Sequence, residues 1–407
     1  ETWFKNKNTA LFDIILNELL FSPQQQKYIK NEYGIALLYT LRTNPLSLLG
    51  DIPFLTFPDI EQLCKRLQFN LSDQQKIIAA ANFCLGRFEN MRGETCTPTD
   101  RLINEIHKHV PVEFKIIEDI IENNKIIFKC TERNKKRVVS TENSYNRDKK
   151  IIAEIHRIQK TNEHSKKTKI FLKKELQVTN GIDLSEEQIE AINSAVNSPI
   201  SIITGGPGAG KTTMVKGLVS ALKILKFTFK ITAPTGKAAK RIAAEGLQSH
   251  APSTIHSYLG RFEEKSDKVF NFMIVDESSM IDINLMQELL ESIPDKTSIV
   301  LLGDPDQLPP VGPGQVFKDL IESQTIPVVR LTGNYRQHLM SDISKVARSI
   351  VKGKVPNFTD NFNHKEFSFI ETARGNQANK ILDLFLYKLP KLLGVDMNQI
   401  QILSPMR

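Results

Sequence analysis

Residues 203–213 read ITGGPGAGKTT, and their reading decides the fold. Gly205, Gly210, Lys211 and Thr212 stand in the order G-x-x-x-x-G-K-[ST], the phosphate-binding loop pattern. Glycines let consecutive backbone N–H groups turn inward around a phosphate. A lysine at this place brings charge to the β- and γ-phosphates, and the hydroxyl beside it can ligate Mg2+. The run Gly205, Gly206, Pro207, Gly208, Ala209, Gly210, Lys211, Thr212 and Thr213 is therefore the expected nucleotide cradle, with Thr212 on the metal. SPISIIT (198–204) reads as a buried strand entering the loop, and MVKGLVSALKILKF (214–227) as the helix leaving it. The N-terminus of that helix points its dipole at the anion.

The 407 residues suffice for about three domains. With 25% charged and 40% hydrophobic residues the composition is that of an ordinary globular protein. The net charge of +8 suits a polyanionic partner. No apolar run has the length of a membrane span, and the first residues, ETWFKNKNTALF, lack a secretion signal. We expect a cytoplasmic protein without a membrane partner. Cys64, Cys84, Cys96 and Cys130 show no metal spacing and read as buried, reduced thiols.

Five regions follow along the chain. Residues 1–92 carry helical periodicity, and DIPFLTFPDIEQLCKRLQF (51–69) reads as two short helices around a tight turn, a helix-hairpin-helix shape. Over 93–145, two helices precede a ribbon formed by KIIFKC and KRVVST around the turn TERNKK, which suits a winged-helix-like module or a plain α+β subdomain. Residues 146–180 are lysine-rich, a basic helix and linker. From 181 to 335 strands and helices alternate (SIIT, FKITA, FMIVD, SIVLLGD, VVRLT), which predicts a parallel α/β sheet with ligands at the strand C-termini. Residues 336–407 begin a further domain.

Motifs follow the loop. MIVDESSM (273–280) ends an apolar strand in Asp276, suited to holding Mg2+, and Glu277, suited to taking a proton from water. In LLGDPDQLPPVGPG (301–314), Gln307 is either a γ-phosphate sensor or part of a proline-stiffened turn. In LTGNYRQ (331–337), Arg336 is either a transition-state cation or a surface arginine. In LSEEQIEAI (184–192), Ser185 is an N-cap, and Gln188 either serves the helix start or reads an adenine edge. ITAPTGKAAKRI (231–242) offers Thr235, Gly236 and Lys237 to nucleic-acid phosphates, and STIHSYLG (253–260) adds Thr254 and His256.

Taken in order, these segments resemble the RecD-like, 5′-to-3′ branch of the superfamily 1 DNA helicases, whose relatives include the exodeoxyribonuclease V alpha subunit. The resemblance implies a RecA-like P-loop NTPase sheet with helices on both faces, preceded by an all-helical and winged-helix-like region. It implies ATP and Mg2+ as cofactors, with Gln188 on adenine, Lys211 and Thr212 on phosphate and metal, and Asp276 and Glu277 as metal ligand and base. Gln307 and Arg336 would read the γ-phosphate, and Thr235, Gly236, Lys237, Thr254 and His256 would lie along single-stranded DNA or the single-stranded tail of a duplex. A strand-separating pin is expected within GRFEEKSDKVFNF (260–272). The front half, with MRGETCTP (91–98), resembles stand-alone RecD-like helicases; its hairpin turn IPFLTF lacks the family's glycines, so a packing role is expected. The family's later motifs do not occur before Arg407, so the second motor lobe reads as incomplete. The expected function is an ATP-dependent helicase of DNA repair or recombination; the alternative is a nucleotide-binding, non-translocating DNA-binding or assembly protein.

Overall fold

The computed structural model describes residues 22–34, 36–52, 54–66, 68–133, 136–161, 183–206, 208–263, 270–332, 342–356, 366–373 and 375–404. The chain divides into two compact units, one of 1–205 with 211–331, the other of 206–210 with 332–407, and each is described by itself.

The first unit opens with helices α1 (Pro23–Glu32), α2 (Ala36–Thr43), α3 (Leu48–Asp51), α4 (Phe57–Arg66) and α5 (Asp73–Arg92). Serine caps start two of them: Ser22 and Ser72 each form a reciprocal box with a glutamine three residues on. Gly93 ends α5 at φ 69°, the left-handed turn that glycine makes cheaply. The turn between α3 and α4 points inward: Ile52 and Leu55 are buried in the N-terminal core with Phe57, Ile60 and Leu63. That burial accords with the packing role expected from a turn without glycine.

Next come β1 (Thr97–Pro98), α6 (Thr99–His109), α7 (Phe114–Asn123), β2 (Phe128–Arg133) and β3 (Lys136–Thr141). The three strands form a small sheet in the order β1-β3-β2, with β2 and β3 antiparallel. Pairing runs out to Arg133 opposite Lys136, so the turn is shorter than the expected TERNKK. Side chains of Phe128 and Val139 seal this ribbon onto the N-terminal core. Helix α8 (Glu142–Thr161) follows and turns its apolar stripe elsewhere: Ile151, Ile155 and Ile158 enter the core of the large sheet. Its spacing of three and four residues is that of one helix face.

The large sheet contains β4 (Ile200–Gly205), β5 (Phe229–Ala233), β6 (Ser253–Thr254), β7 (Phe272–Val275), β8 (Ser298–Gly303) and β9 (Val328–Leu331), in the order β6-β5-β7-β8-β4-β9. Every pairing is parallel. The interleaved helices are α9 (Glu186–Val196), α10 (Lys211–Ile224), α11 (Gly236–Ile242), α12 (Ile255–Glu263), α13 (Ile283–Ser292) and α14 (Val316–Ser323). On one face Ile200, Ile202, Met273, Val275, Ile299 and Leu301 share a core with Met286, Leu289 and Leu290 of α13 and Phe317 of α14. The alternate residues Ile203, Ile274, Val300 and Leu302 are also fully buried, so the strands read as unbroken apolar runs, as two-sided burial requires. This is the expected parallel α/β sheet covered by helices on both faces, the RecA-like P-loop architecture. Of the five expected strands all form; the two-residue β6 was not legible because it has no apolar run.

In the second unit the described helices are α15 (Asp342–Val351), α16 (Gln377–Asp383) and α17 (Leu389–Leu393). Among the described residues no helix is long and apolar enough to cross a membrane. Cys64 and Cys84 are buried as expected, but Cys96 is half-buried and Cys130 is exposed on the ribbon.

Candidate ATP and nucleic-acid site

Parallel strands deliver all their C-terminal ends to one edge of a sheet, where Gly205, Asp276 and Asp304 stand at or directly after β4, β7 and β8. Strand β4 is buried through Thr204 and ends at Gly205. Within the following loop, Ala209 N–H donates to the Gly206 carbonyl at 3.2 Å. Gly208 and Gly210 both hold φ 83°, a conformation that requires glycine. Pro207 lies outside the described residues. Helix α10 starts at Lys211, and its first turn carries Thr212 and Thr213, both half-buried, and no acidic side chain that would compete with an anion.

The Lys211 ammonium bonds to the Gly205 carbonyl at the end of β4. Burial pushes its pKa below the usual lysine value, while the charges of Asp304, Glu277 and Asp276 pull it back up. Asp304 follows β8, is 4% exposed, and its Oδ1 accepts from Asp306 N–H at 3.1 Å.

Strand β7 delivers the acid pair. Asp276 N–H donates to the Thr232 carbonyl of β5 at 2.9 Å, which fixes the strand end, and Asp276 Oδ1 accepts from Glu277 N–H at 2.9 Å. Burial raises the Asp276 pKa first, the charge of Glu277 next; the Glu277 N–H and Arg241 act against both. Glu277 adopts φ 54°, ψ 37°, a left-handed geometry unusual for a residue with a side chain. Its Oε1 pairs with Arg241, and its Oε2 is buried with no partner among the described residues. An orphaned buried carboxylate oxygen fits an acceptor awaiting a water or a substrate group.

The remaining expected residues divide. The Gln188 Oε1 accepts from Ser185 N–H at 2.9 Å in a capping box, so the helix-start reading is realised for that oxygen. Gln307 is exposed, and its backbone N–H donates to the Asp304 carbonyl at 3.2 Å, making a tight turn after β8. Arg336 and residues 264–269 of the expected pin lie outside the described residues. Thr235 caps α11 by accepting from Ala238 N–H at 3.2 Å, and Gly236 and Lys237 are exposed. Thr254 accepts from Ser257 N–H at 3.1 Å, and His256 is exposed. Strands β5 and β6 pair at Ala233 opposite Thr254, so these two loops leave the sheet side by side.

Arg241 and Asp304 were missed by sequence reasoning. Asp304 stood in the quoted GDPDQ motif, where its position directly after a fully buried strand was a usable signal. Arg241 had a weaker one, its place one helical turn beyond Lys237. Among the described residues no group of three or more His, Cys, Asp or Glu side chains could hold a metal alone. Mg2+ on such a site is held by one or two protein oxygens plus phosphate and water. The hydroxyl of Thr212 and the carboxylate of Asp276 suit that arrangement.

Residues 5–96 match the helix-hairpin-helix domain family of the ATP-dependent RecD2 DNA helicase, and residues 183–372 match an AAA domain family. The ATP-dependent RecD2 DNA helicase of Deinococcus radiodurans is 32% identical over 230 residues, 55% of this chain and 30% of that protein. The RecD subunit of the RecBCD enzyme of Haemophilus influenzae is 34% identical over 194 residues, 40% of this chain and 29% of that protein. The two matched segments are similar to parts of RecD-like superfamily 1 helicases. The matched part of the chain spans under a third of the length of these relatives. The Pif1 helicase of Candida albicans superposes with a TM-score of 0.32 at 22% identity, over 43% of this chain and 45% of its own. The match to the AAA domain family implies use of a nucleotide.

Proposed function

We propose that the intact protein is an ATP-dependent DNA helicase that couples ATP hydrolysis to 5′-to-3′ translocation on single-stranded DNA, in DNA repair or recombination in the cytoplasm. The observation that carries this reading is the delivery of Asp276, Glu277 and Asp304 to the ends of the neighbouring strands β7 and β8, beside the end of β4 on which Lys211 bonds, with the Thr235 and Thr254 loops leaving neighbouring strands of the same sheet edge.

Each residue has a task in this reading. Lys211 binds the β- and γ-phosphates, and Thr212 with Asp276 would hold Mg2+, which neutralises phosphate charge when bound. Glu277 accepts the proton of the attacking water, and its Oε2, without a partner among the described residues, supports that role. Gln188 lies against the adenine edge through the part of its amide not used in capping; Gln307 and Arg336 respond to the γ-phosphate. Thr235, Gly236, Lys237, Thr254 and His256 contact the DNA backbone, preferring a single strand or a single-stranded tail. The helix-hairpin-helix segment packs the N-terminal core.

The test is steady-state ATP hydrolysis with and without single-stranded DNA. Stimulation by DNA is expected, and Lys211→Ala should reduce turnover by about 10²-fold or more, the scale for removing one transition-state charge partner. Equal rates with and without DNA, together with an active Lys211→Ala variant, would refute the motor reading.

A further inference from the structure

Arg241 touches both members of the acid pair. Its Nη2 donates to Asp276 Oδ2 at 3.1 Å and to Glu277 Oε1 at 2.8 Å. The two partners are 35 and 36 residues away in the chain, so only the fold creates the contact. Helix α11, which carries Arg241, opens on the loop of Thr235, Gly236 and Lys237. Lys237 and Arg241 are four residues apart, hence on one helix face, with about 6 Å between their Cβ atoms. Their exposures differ in kind from those of the acids: half of the Arg241 side chain meets solvent, against 12% of Glu277 and 9% of Asp276. The guanidinium therefore has one side on the enclosed acids and another on the surface that Lys237 shares.

We infer that Arg241 is a positioning residue that holds Glu277 and Asp276 in a resting arrangement and gives them up to a nucleic-acid phosphate, so that strand binding along α11 releases the base. This rests on the helicase reading above and names the regulation of that same site. A guanidinium fork matches a phosphodiester as well as it matches a carboxylate, and Arg241 can exchange one for the other without leaving its helix. While Glu277 Oε1 is held on the guanidinium, that oxygen is not available to a water. Once released, it accepts a proton from water as the water oxygen bonds to the γ-phosphorus and the bond to the departing ADP breaks. Nothing beyond water and ATP enters the balance. The same exchange leaves Asp276 with one cation fewer, which favours its binding of Mg2+.

The test compares the intact parent protein with Arg241→Ala and Arg241→Lys. Hydrolysis is followed at saturating Mg-ATP, with and without a polythymidine oligonucleotide, and oligonucleotide affinity is measured across a salt series. In Arg241→Ala the DNA-free rate should rise toward the stimulated rate of the parent, and the stimulation factor should fall toward one. Arg241→Lys keeps the charge without the fork and should retain part of the stimulation. The slope of log affinity against log salt should drop by about 0.7 in magnitude for the alanine variant, the value for one lost phosphate contact on a single strand. A parallel fall of both rates with an unchanged stimulation factor, or an unchanged salt slope, overturns the proposal. Should Arg241→Ala fail to fold, the stimulation factor and salt slope of Arg241→Lys decide the matter in the same way. A parent protein that DNA does not stimulate refutes the helicase reading itself, a result visible before any Arg241 variant is made.

Discussion

Glu277 spends backbone energy to stand where it does. A side-chain-bearing residue in the left-handed region costs about 1–2 kcal/mol, and here the turn is held by the Glu277 N–H on Asp276 Oδ1 and the Met280 N–H on the Glu277 carbonyl. Its neighbour carries a second cost. Burial and the Glu277 charge raise the Asp276 pKa above the ordinary carboxylate value, so the ionised form is disfavoured by folding. A carboxyl whose folded pKa is raised helps stability below its unfolded pKa and loses that contribution as pH rises through the folded one. In nucleotide- and metal-free protein, Asp276→Asn should therefore be more stable than the parent at neutral pH, by about 0.5–2 kcal/mol. The gain should disappear as pH falls through the raised value toward the usual carboxylate range. Denaturant midpoints across a pH series measure it; a difference that is constant with pH, or of opposite sign, contradicts the electrostatic account. The acids themselves were legible in MIVDESSM only in context: an acidic pair at a strand end is a weak signal alone and a strong one behind a phosphate-binding loop. Arg241 was not, because its pairing spans the sheet from β5 to β7 and no local pattern announces it. Gln188 shows the opposite limit: one glutamine serves a capping box and a proposed adenine contact, and sequence alone could not divide the two.

At the scale of elements, α8 does more than its lysine-rich sequence announced. Ile151, Ile155 and Ile158 are buried in the sheet's core, and the helix packs along α13. Arg157 then closes the C-terminal end of α13: its Nη2 donates to the Leu290 and Ile293 carbonyls at 3.1 and 2.8 Å, and its Nη1 pairs with Asp295 at 2.6 Å. The last carbonyls of a helix have no partner within it, and a cation there also opposes the negative end of the dipole. We expect Arg157→Ala to cost about 1–3 kcal/mol, the range for hydrogen bonds to a charged group. Arg157→Lys should recover less than half, since a compact ammonium lacks the planar fork that reaches the two carbonyls and Asp295 together. Thermal melting gives the cost, and hydrogen exchange should place the loosening at the C-terminal end of α13. Unchanged exchange there would mean that α8 is only a covering helix. The apolar spacing of α8 was readable as a helix face; which core it would cover was not, since it follows the ribbon directly in the chain yet packs on a sheet that begins some forty residues later.

At the scale of the whole first unit, two apolar cores are tied together by polar contacts. The N-terminal core holds Cys64 and Cys84, and the sheet core holds the faces of β4, β7 and β8. Between them, Arg147 pairs with Glu89 of α5 and donates to Asn284 Oδ1 of α13 at 2.7 Å. Gly314 N–H, in the loop that carries Gln307, donates to the Gly93 carbonyl at 2.9 Å. A side chain on Gly312 would collide with the Asp282 carboxylate, so this loop lies tightly against the start of α13. These ties predict that the cores open together. Cys84 reports it: burial, with the Glu105 charge second, pushes its thiol pKa up to about 12, so it reacts only when the N-terminal core opens, whereas Cys130 is exposed and serves as the internal control. A nucleotide present at about 100 times its dissociation constant stabilises the folded sheet by about 2.7 kcal/mol. If opening is shared, a non-hydrolysable Mg-nucleotide should slow alkylation of Cys84 in mild denaturant by up to about 100-fold, while Cys130 is unaffected. Equal Cys84 rates with and without nucleotide would mean that the ties are too weak to couple the cores. The N-terminal region would then be an independent domain carried beside the sheet, and the Gly93–Gly314 contact would transmit nothing to the loop of Gln307.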